Sequence, residues 1–312
     1  MSLTFENDKV QINQTKYVDN ILTDSKVTGF CPTPASNDLF YVDETSSLLD
    51  NGNRSTFHST VAQLLYLSKR TRPDISLAVT FLTSRVMSPT QQDNSKLHRI
   101  LKYLNASKDI PLILRAGGPM ILETHIDASY GTHSDLKGHS GAVTRVGNST
   151  VSSRSIKQKL NTKSSCESEL VATSDCISDV LDVKHFLEEL GFHVKTPILL
   201  QDNKSTIELL VRGRPTSRQT KHIGIRYFFI NDLITREQIR IEYCPTEEML
   251  GDLMTKPLQG SQFIYLRNII LGHQQQIEGS VENINYTYGK EQQSTAVVMD
   301  VRDLRVPNTT SS

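Results

Sequence analysis

The spacing of apolar residues changes character partway along the chain. Leu97, Ile100, Leu101 and Leu104 stand at i, i+3, i+4 and i+7, one stripe on a helix expected over about 90–104, after Pro89. Two more helices are expected upstream, over about 57–69 and, after Pro73, about 74–86. The start reads as a small hairpin over 3–12 turning at Asn7-Asp8, followed by an amphipathic stretch over 17–22. Residues 31–55 are rich in Pro, Ser, Asn and Asp, which is loop composition. Residues 1–115 therefore make a mostly helical unit.

After Gly117-Gly118 strand patterns take over. Residues 120–129 read as a strand ending in IDAS, and 139–146 with 149–155 as a hairpin turning at Gly147-Asn148. A long helix follows over about 166–190, with Ser164 or Ser165 as cap and Gly191 closing it; Leu170, Ile177, Val180, Leu181, Phe186, Leu187 and Leu190 form its apolar stripe. The order continues with a strand at 197–202, a helix at 204–211, a basic loop at 212–221, a helix at about 222–236, a strand at 239–243 and a helix at about 247–256. A last amphipathic helix, 260–270, follows Pro257. This order describes an α/β unit over 119–271, a mixed five-stranded sheet flanked by helices. Residues 272–312 are polar and poor in core formers, so a disordered tail is expected, with 297–301 its one orderable piece.

Composition narrows the function classes. A chain of 312 residues exceeds what one compact core usually holds, so two domains plus an unpacked segment are expected. Lysine plus arginine equals aspartate plus glutamate, and any nucleic-acid contact must come from local patches. No apolar run approaches a membrane span and the start, MSLTFENDKV, lacks the regions of a signal peptide, so no membrane partner is expected and an intracellular location is: cytoplasm, nucleus or virus-like particle. Cys31, Cys166, Cys176 and Cys244 are scattered without zinc spacing and read as reduced thiols. Tryptophan is absent and aromatics are few, which speaks against a large stacking platform for single strands.

The informative polar residues are four acids. Asp127 ends the first central strand, Glu169 lies in the first turns of the long helix, Asp202 follows the apolar run Ile198-Leu199-Leu200, and Asp252 lies in the last helix before Pro257. Each has an ordinary reading: Asp127 starts a turn, Glu169 favours a helix N-terminus, Asp202 caps the next helix, Asp252 lies on a solvated face. Their recurrence at comparable places in an α/β sheet points elsewhere, since the mouths of such strands carry chemistry. Carboxylates gathered there repel unless a divalent cation neutralises them, and hard oxygen ligands favour magnesium or manganese over zinc. The chemistry that uses such a cluster is two-metal phosphodiester hydrolysis.

The runs IDASYG, SIKQKLNTKSSCESELVA, LLQDN, TKHIGIRYFFI and YCPTEEMLGDLMTKPL, in this order over about 120–271, closely resemble the RNase H domain of copia-type retrotransposon Pol polyproteins. Upstream, LLYLSKRTRPDISLAVTFLTSRV and RILKYL resemble the connection between reverse transcriptase and that domain. The resemblance implies an RNase H fold, two Mg2+ ions with Mn2+ as a substitute, and hydrolysis of the RNA strand of an RNA–DNA hybrid. It carries catalysis and metal binding onto Asp127, Glu169, Asp202 and Asp252. Glu167 competes with Glu169, but ELVA fits the family's Glu-hydrophobic-x-Ala pattern, and residues two apart on a helix lie about 200° apart, so only one faces the sheet. The family commonly has Asp where this chain has Gly224 and Ala where it has Gly251, and glycine inside a helix costs about 1 kcal/mol relative to alanine.

Two basic runs flank the acids and suit phosphate contact without sequence readout: Arg154, Lys157, Lys159 and Lys163 ahead of the Glu169 helix, and Arg212, Arg214, Arg218 and Lys221 after the Asp202 helix. His222 is the nearest histidine for proton transfer or product release, with packing on its apolar helix as the alternative. No Asp-Asp pair occurs, so the polymerase metal site of a reverse transcriptase is missing and a palm domain in the parent polyprotein is an expected partner. Met1 enters such a polyprotein just past the palm, as a 3′ remnant or fragment of an element would. The competing readings are a catalytically silent nucleic-acid-binding remnant and a DNA-cutting nuclease of the same superfamily.

Overall fold

In the computed structural model β1 (Ser2–Glu6) and β2 (Lys9–Asn13) pair antiparallel around Asn7-Asp8, with Glu6 opposite Lys9. The structure describes residues 1–116, 120–212 and 221–273, and of Arg212, Lys221, His222 and Ile223 the backbone alone. The expected tail, and most of the basic loop over 212–221 with Arg214 and Arg218, lie outside the described residues.

Four helices follow the hairpin: α1 (Thr15–Ser25), α2 (Asn51–Arg70), α3 (Ser76–Thr83) and α4 (Gln91–Ser107). Helix α2 starts well before its apolar stripe because Asp50 accepts the Asn53 N–H and caps it. Helix α4 is fixed by a reciprocal capping box between Thr90 and Asp93. The segment is not helical alone. Strand β3 (Leu112–Arg115) pairs with β2 and makes a three-stranded sheet; four residues after Pro111 are too few to show a period. Leu64, Leu67, Leu82, Ile100 and Leu104 are fully buried between the helices. In the same interior Arg72 meets Asp74 through two hydrogen bonds of 2.8 and 2.9 Å, and Tyr103 donates to Asp74 at 2.5 Å. Charge opposite charge holds the Asp74 carboxyl below the ordinary carboxylate range despite its complete burial.

The larger sheet contains β4 (Leu122–Ser129), β5 (His139–Val146), β6 (Ser149–Lys157), β7 (Ile198–Gln201) and β8 (Arg240–Tyr243) in the order β6-β5-β4-β7-β8. The first three are an antiparallel meander; β7 and β8 run parallel to β4 and so need helical crossovers. These are α5 (Ser165–Glu189), then α6 (Lys204–Arg212) with α7 (Lys221–Thr235). Leu170, Ala172 and Ile177 of α5 and Tyr227 and Ile230 of α7 pack on Leu122, Ile126 and Leu199 of the sheet. The mixed five-stranded sheet with flanking helices is the architecture expected of residues 119–271.

The expected helix over 247–256 is broken. A 3-10 turn, Thr246–Glu248, gives way to extended Met249 (φ −71°, ψ 98°), and only then comes α8 (Asp252–Thr255). Met249 and Leu250 are buried in two different cores, the first beside Leu200 and Cys244, the second among the N-terminal helices. Helix α9 (Gly260–Ile270) follows as expected. Leu250, Leu253, Met254, Phe263, Leu266, Ile270 and Val143 of β5 join the core that α2, α3 and α4 build, and Met1–His273 form one compact unit.

Candidate metal centre

Strand β4 is the central strand, and Asp127, opposite Gly141 of β5, is buried near its end. Asp202 follows the last residue of the neighbouring strand β7. Asp252 opens α8, which lies against β4 and β5. Carboxylate oxygens of Asp127, Asp202 and Asp252 all lie within 4.8 Å of one another. Three segments far apart in sequence thus bring three acids to one sheet mouth, a cluster built of carboxylates alone. That donor set suits a hard cation such as magnesium or manganese, and the residues present fit it.

Glu169 stands behind these three. It is buried in the first turns of α5, accepts the Gln201 amide N–H at 3.2 Å and is hydrogen-bonded by the Ala128 backbone. Burial, then the charges of Asp127 and Asp202, raise its carboxyl well above the usual range. Glu167 turns the other way: it accepts the Lys163 N–H at 2.7 Å while its own N–H is capped by Ser164. Burial and the nearby Asp127 push Asp252 up to about 7, against the pull of Lys256. The pattern is that of negative charge held close with too little positive charge to balance it.

The competing cap for α6 is settled by Asn203. Its side-chain oxygen accepts the Thr206 N–H at 3.1 Å, and Asp202 instead accepts from the Thr246 hydroxyl at 3.0 Å. Sequence reasoning missed Gln201, whose buried amide oxygen accepts the N–H groups of Asp202 and Asn203 at 3.1 and 3.3 Å. One side chain therefore ties the Asp202 loop to Glu169. Its only signal was a polar residue ending an apolar strand. Also missed were Thr255, which donates to Asp127, and Lys256, whose ammonium lies 3.2 Å from Asp127 and 2.8 Å from Asp252. Their places three and four residues after Asp252 were the available sign.

Gly251 has a use that the sequence hid. Its backbone is ordinary (φ −56°), but a Cβ built there meets the Asp127 Cβ and N at 2.9 Å. Gly141 on β5 is tighter, since a Cβ there meets Met254 and Thr255 at 2.6 Å. The two glycines let α8 lie directly on the strands that carry Asp127, and Asp252 arrives with it.

The basic residues are less gathered than the sequence suggests. Arg154 and Lys157 lie on β6, not on a loop, because the strand runs to Lys157; Arg154 pairs with Asp179 and Lys157 with Asp135, at 2.7 and 2.9 Å. Lys159 and Lys163 are exposed and carry no ion pair among the described residues. The side chains of Arg212, Lys221 and His222 lie outside the described residues. All four cysteines are free. No helix of the described residues is long and apolar enough to cross a membrane.

No family model matches the chain. It is 26% identical over 272 residues, 85% of its length, to the retrovirus-related Pol polyprotein of transposon TNT 1-94 from Nicotiana tabacum. To the Pol polyprotein of transposon RE1 from Arabidopsis thaliana it is 32% identical over 209 residues, 66% of its length. The chain spans only 20% and 14% of those two polyproteins. Among solved structures, the N-terminal RNase H domain of a Mycobacterium tuberculosis protein aligns with 44% of this chain and 91% of its own, at 13% identity and a TM-score of 0.33.

Proposed function

We propose that this chain, a homologue of the copia-type Pol polyproteins over most of its length, is their ribonuclease H: it hydrolyses the RNA strand of RNA–DNA hybrids during reverse transcription, using two divalent ions. In this reading residues 1–115 are the connection to a reverse transcriptase and 119–271 the nuclease domain. The observation that carries it is the convergence of Asp127, Asp202 and Asp252 within 4.8 Å, with Glu169 behind them.

The division of labour follows from position. Asp127, on the central strand and held by Thr255, would hold the ions together with Asp202, Asp252 and Glu169. Bound there, Mg2+ would supply an activated water and neutralise the leaving oxygen of a phosphodiester. Gln201 keeps Glu169 and the Asp202 loop in register by donating to one and accepting from the other. Lys159 and Lys163, exposed on the loop into α5, would meet backbone phosphates.

The test is cleavage of a labelled hybrid by the purified chain with magnesium, with manganese and with EDTA, beside Asp202→Asn. The expected result is metal-dependent cutting of the RNA strand alone, lost in the variant. Hybrid binding without cutting would replace this reading with the silent remnant, and cutting of both strands with a DNA nuclease.

A further inference from the structure

Lys256 is the chain's own cation at the acid cluster. Its ammonium reaches Asp252 at 2.8 Å and Asp127 at 3.2 Å, the two acids on either side of the α8–β4 junction. Among the described residues no other lysine or arginine pairs with Asp127, Asp202 or Asp252. The placement is built in. Lys256 follows the last residue of α8, where its N–H still bonds to the Asp252 carbonyl, and extended Lys256 with Pro257 behind it turns the chain away. About a third of the side chain is exposed, so the ammonium has a path out to solvent that the buried aspartates lack. The Thr255 hydroxyl occupies the other Asp127 oxygen. Both carboxylate oxygens of Asp127 are thus engaged by α8 or the residue after it, and a cation at Oδ1 would be repelled by the Lys256 ammonium and compete with it for the same carboxylate.

We propose that Lys256 is an internal competitor for the divalent ion shared by Asp127 and Asp252: it holds the two acids together in the metal-free chain and must swing out before the ion binds. This rests on the metal-binding reading above. It makes Lys256 a positioning residue that sets the divalent concentration at which the site fills. An ammonium does this without ordering a second shell of ligands, and it leaves Asp202 and Glu169 untouched.

The experiment is calorimetric titration of the full chain with MgCl2 and with MnCl2, alongside thermal unfolding in EDTA, for the wild type, Lys256→Gln, Lys256→Arg and Asp202→Asn. Removing the competitor is expected to tighten divalent binding about tenfold, the worth of one charged hydrogen bond, while lowering the metal-free melting temperature. Lys256→Arg keeps the charge and should retain wild-type affinity, which guards against a Gln variant that merely packs badly. Binding in the wild type that is unchanged or weaker in Lys256→Gln would overturn the competitor role and leave the metal site standing. No binding in the wild type would overturn the metal-binding reading, and this inference with it.

Discussion

Gly251 and Gly224 are the two glycines at which the resemblance leads one to expect another residue, and the structure gives them opposite expectations. At Gly251 an added Cβ falls 2.9 Å from the Asp127 Cβ and backbone N and 3.2 Å from the Ile126 carbonyl carbon, where ordinary contact begins at 3.4 Å. The nearest atoms belong to the central strand and cannot swing aside, so α8 must retreat by roughly half an ångström. Forced overpacking of this kind costs about 1–3 kcal/mol. The helical gain of alanine is below about 1 kcal/mol and smaller still at a position that only begins a helix. Gly224 lies inside α7 with no described atom within 4 Å of its Cβ position and no positive φ, so alanine there gains up to about 1 kcal/mol. At about 2–4 °C per kcal/mol for a unit of this size, Gly251→Ala should melt several degrees lower and Gly224→Ala about 2 °C higher, read by circular dichroism in EDTA. Gly251→Ala should also bind magnesium more weakly, because Asp252 withdraws with α8. A Gly251→Ala chain as stable as the wild type with undiminished magnesium affinity would refute the close-approach argument.

Three further outcomes are expected. Asp252 has a folded pKa near 7 against an ordinary 3.8, so the metal-free protein takes up a proton there as pH falls, and the stability this contributes is lost as pH rises through 7. Buried His133 and His139, held neutral with folded values of about 4 and 3, work in the opposite direction below pH 6.5, so the readout is the difference between wild type and Asp252→Asn. That difference should move by about 1.4 kcal/mol in favour of the wild type from pH 8 to pH 6, by urea unfolding in EDTA; a constant difference rejects the assignment. Gln201→Leu strands the Asp202 and Asn203 N–H groups and removes a donor from Glu169, at a cost of about 2–4 kcal/mol by the same method, and an unmoved midpoint would show the loop held by other means. Asp74→Asn leaves the buried Arg72 guanidinium without its counter-charge and should cost about 3–5 kcal/mol, whereas Arg72→Met with Asp74→Leu costs less; equal losses in both would argue against the charge as the cause.

What the sequence shows and what it hides divide along physical lines. Strands β4, β5 and β7, the cap at Ser164 and the long helix α5 rest on local periodicity and local caps, and those are visible in a single chain. The ends of the strands could be read as well, and with them the places of Asp127 and Asp202. Strand β3 is too short to carry a period, and β6 runs on to Lys157, past residues that read as a basic loop. The break at Met249–Gly251, where Met249 joins one core and Leu250 another, leaves no mark in any window of local sequence. Lys256 and Gln201 escaped for a related reason: their partners lie on other strands, and only folding brings them near. Gly251 was read as a weakness in a helix because its neighbour, Asp127, is more than a hundred positions away.

The core shared by the N-terminal helices and α8–α9 bears on how the segment that carries the four acids can be excised. Leu250, Leu253, Met254, Phe263, Leu266 and Ile270 are buried on Phe57, Leu64, Leu82, Ile100 and their neighbours. At roughly 1.5–3 kcal/mol for each large apolar side chain, uncovering those six forfeits on the order of 10 kcal/mol, as much as a whole domain usually has in reserve. A piece cut free near residue 118 keeps the separate core between the sheet and α5 and α7. Its spectrum would still report strands and helices, with Asp127, Glu169 and Asp202 in place. The segment bearing Asp252 and Lys256 would keep its contact with β4 and β5 but lose the apolar backing that presses it there. Such a piece would look sound with one corner of its site unbacked, so inactivity in a truncated chain would speak about where it was cut before it spoke about the acids.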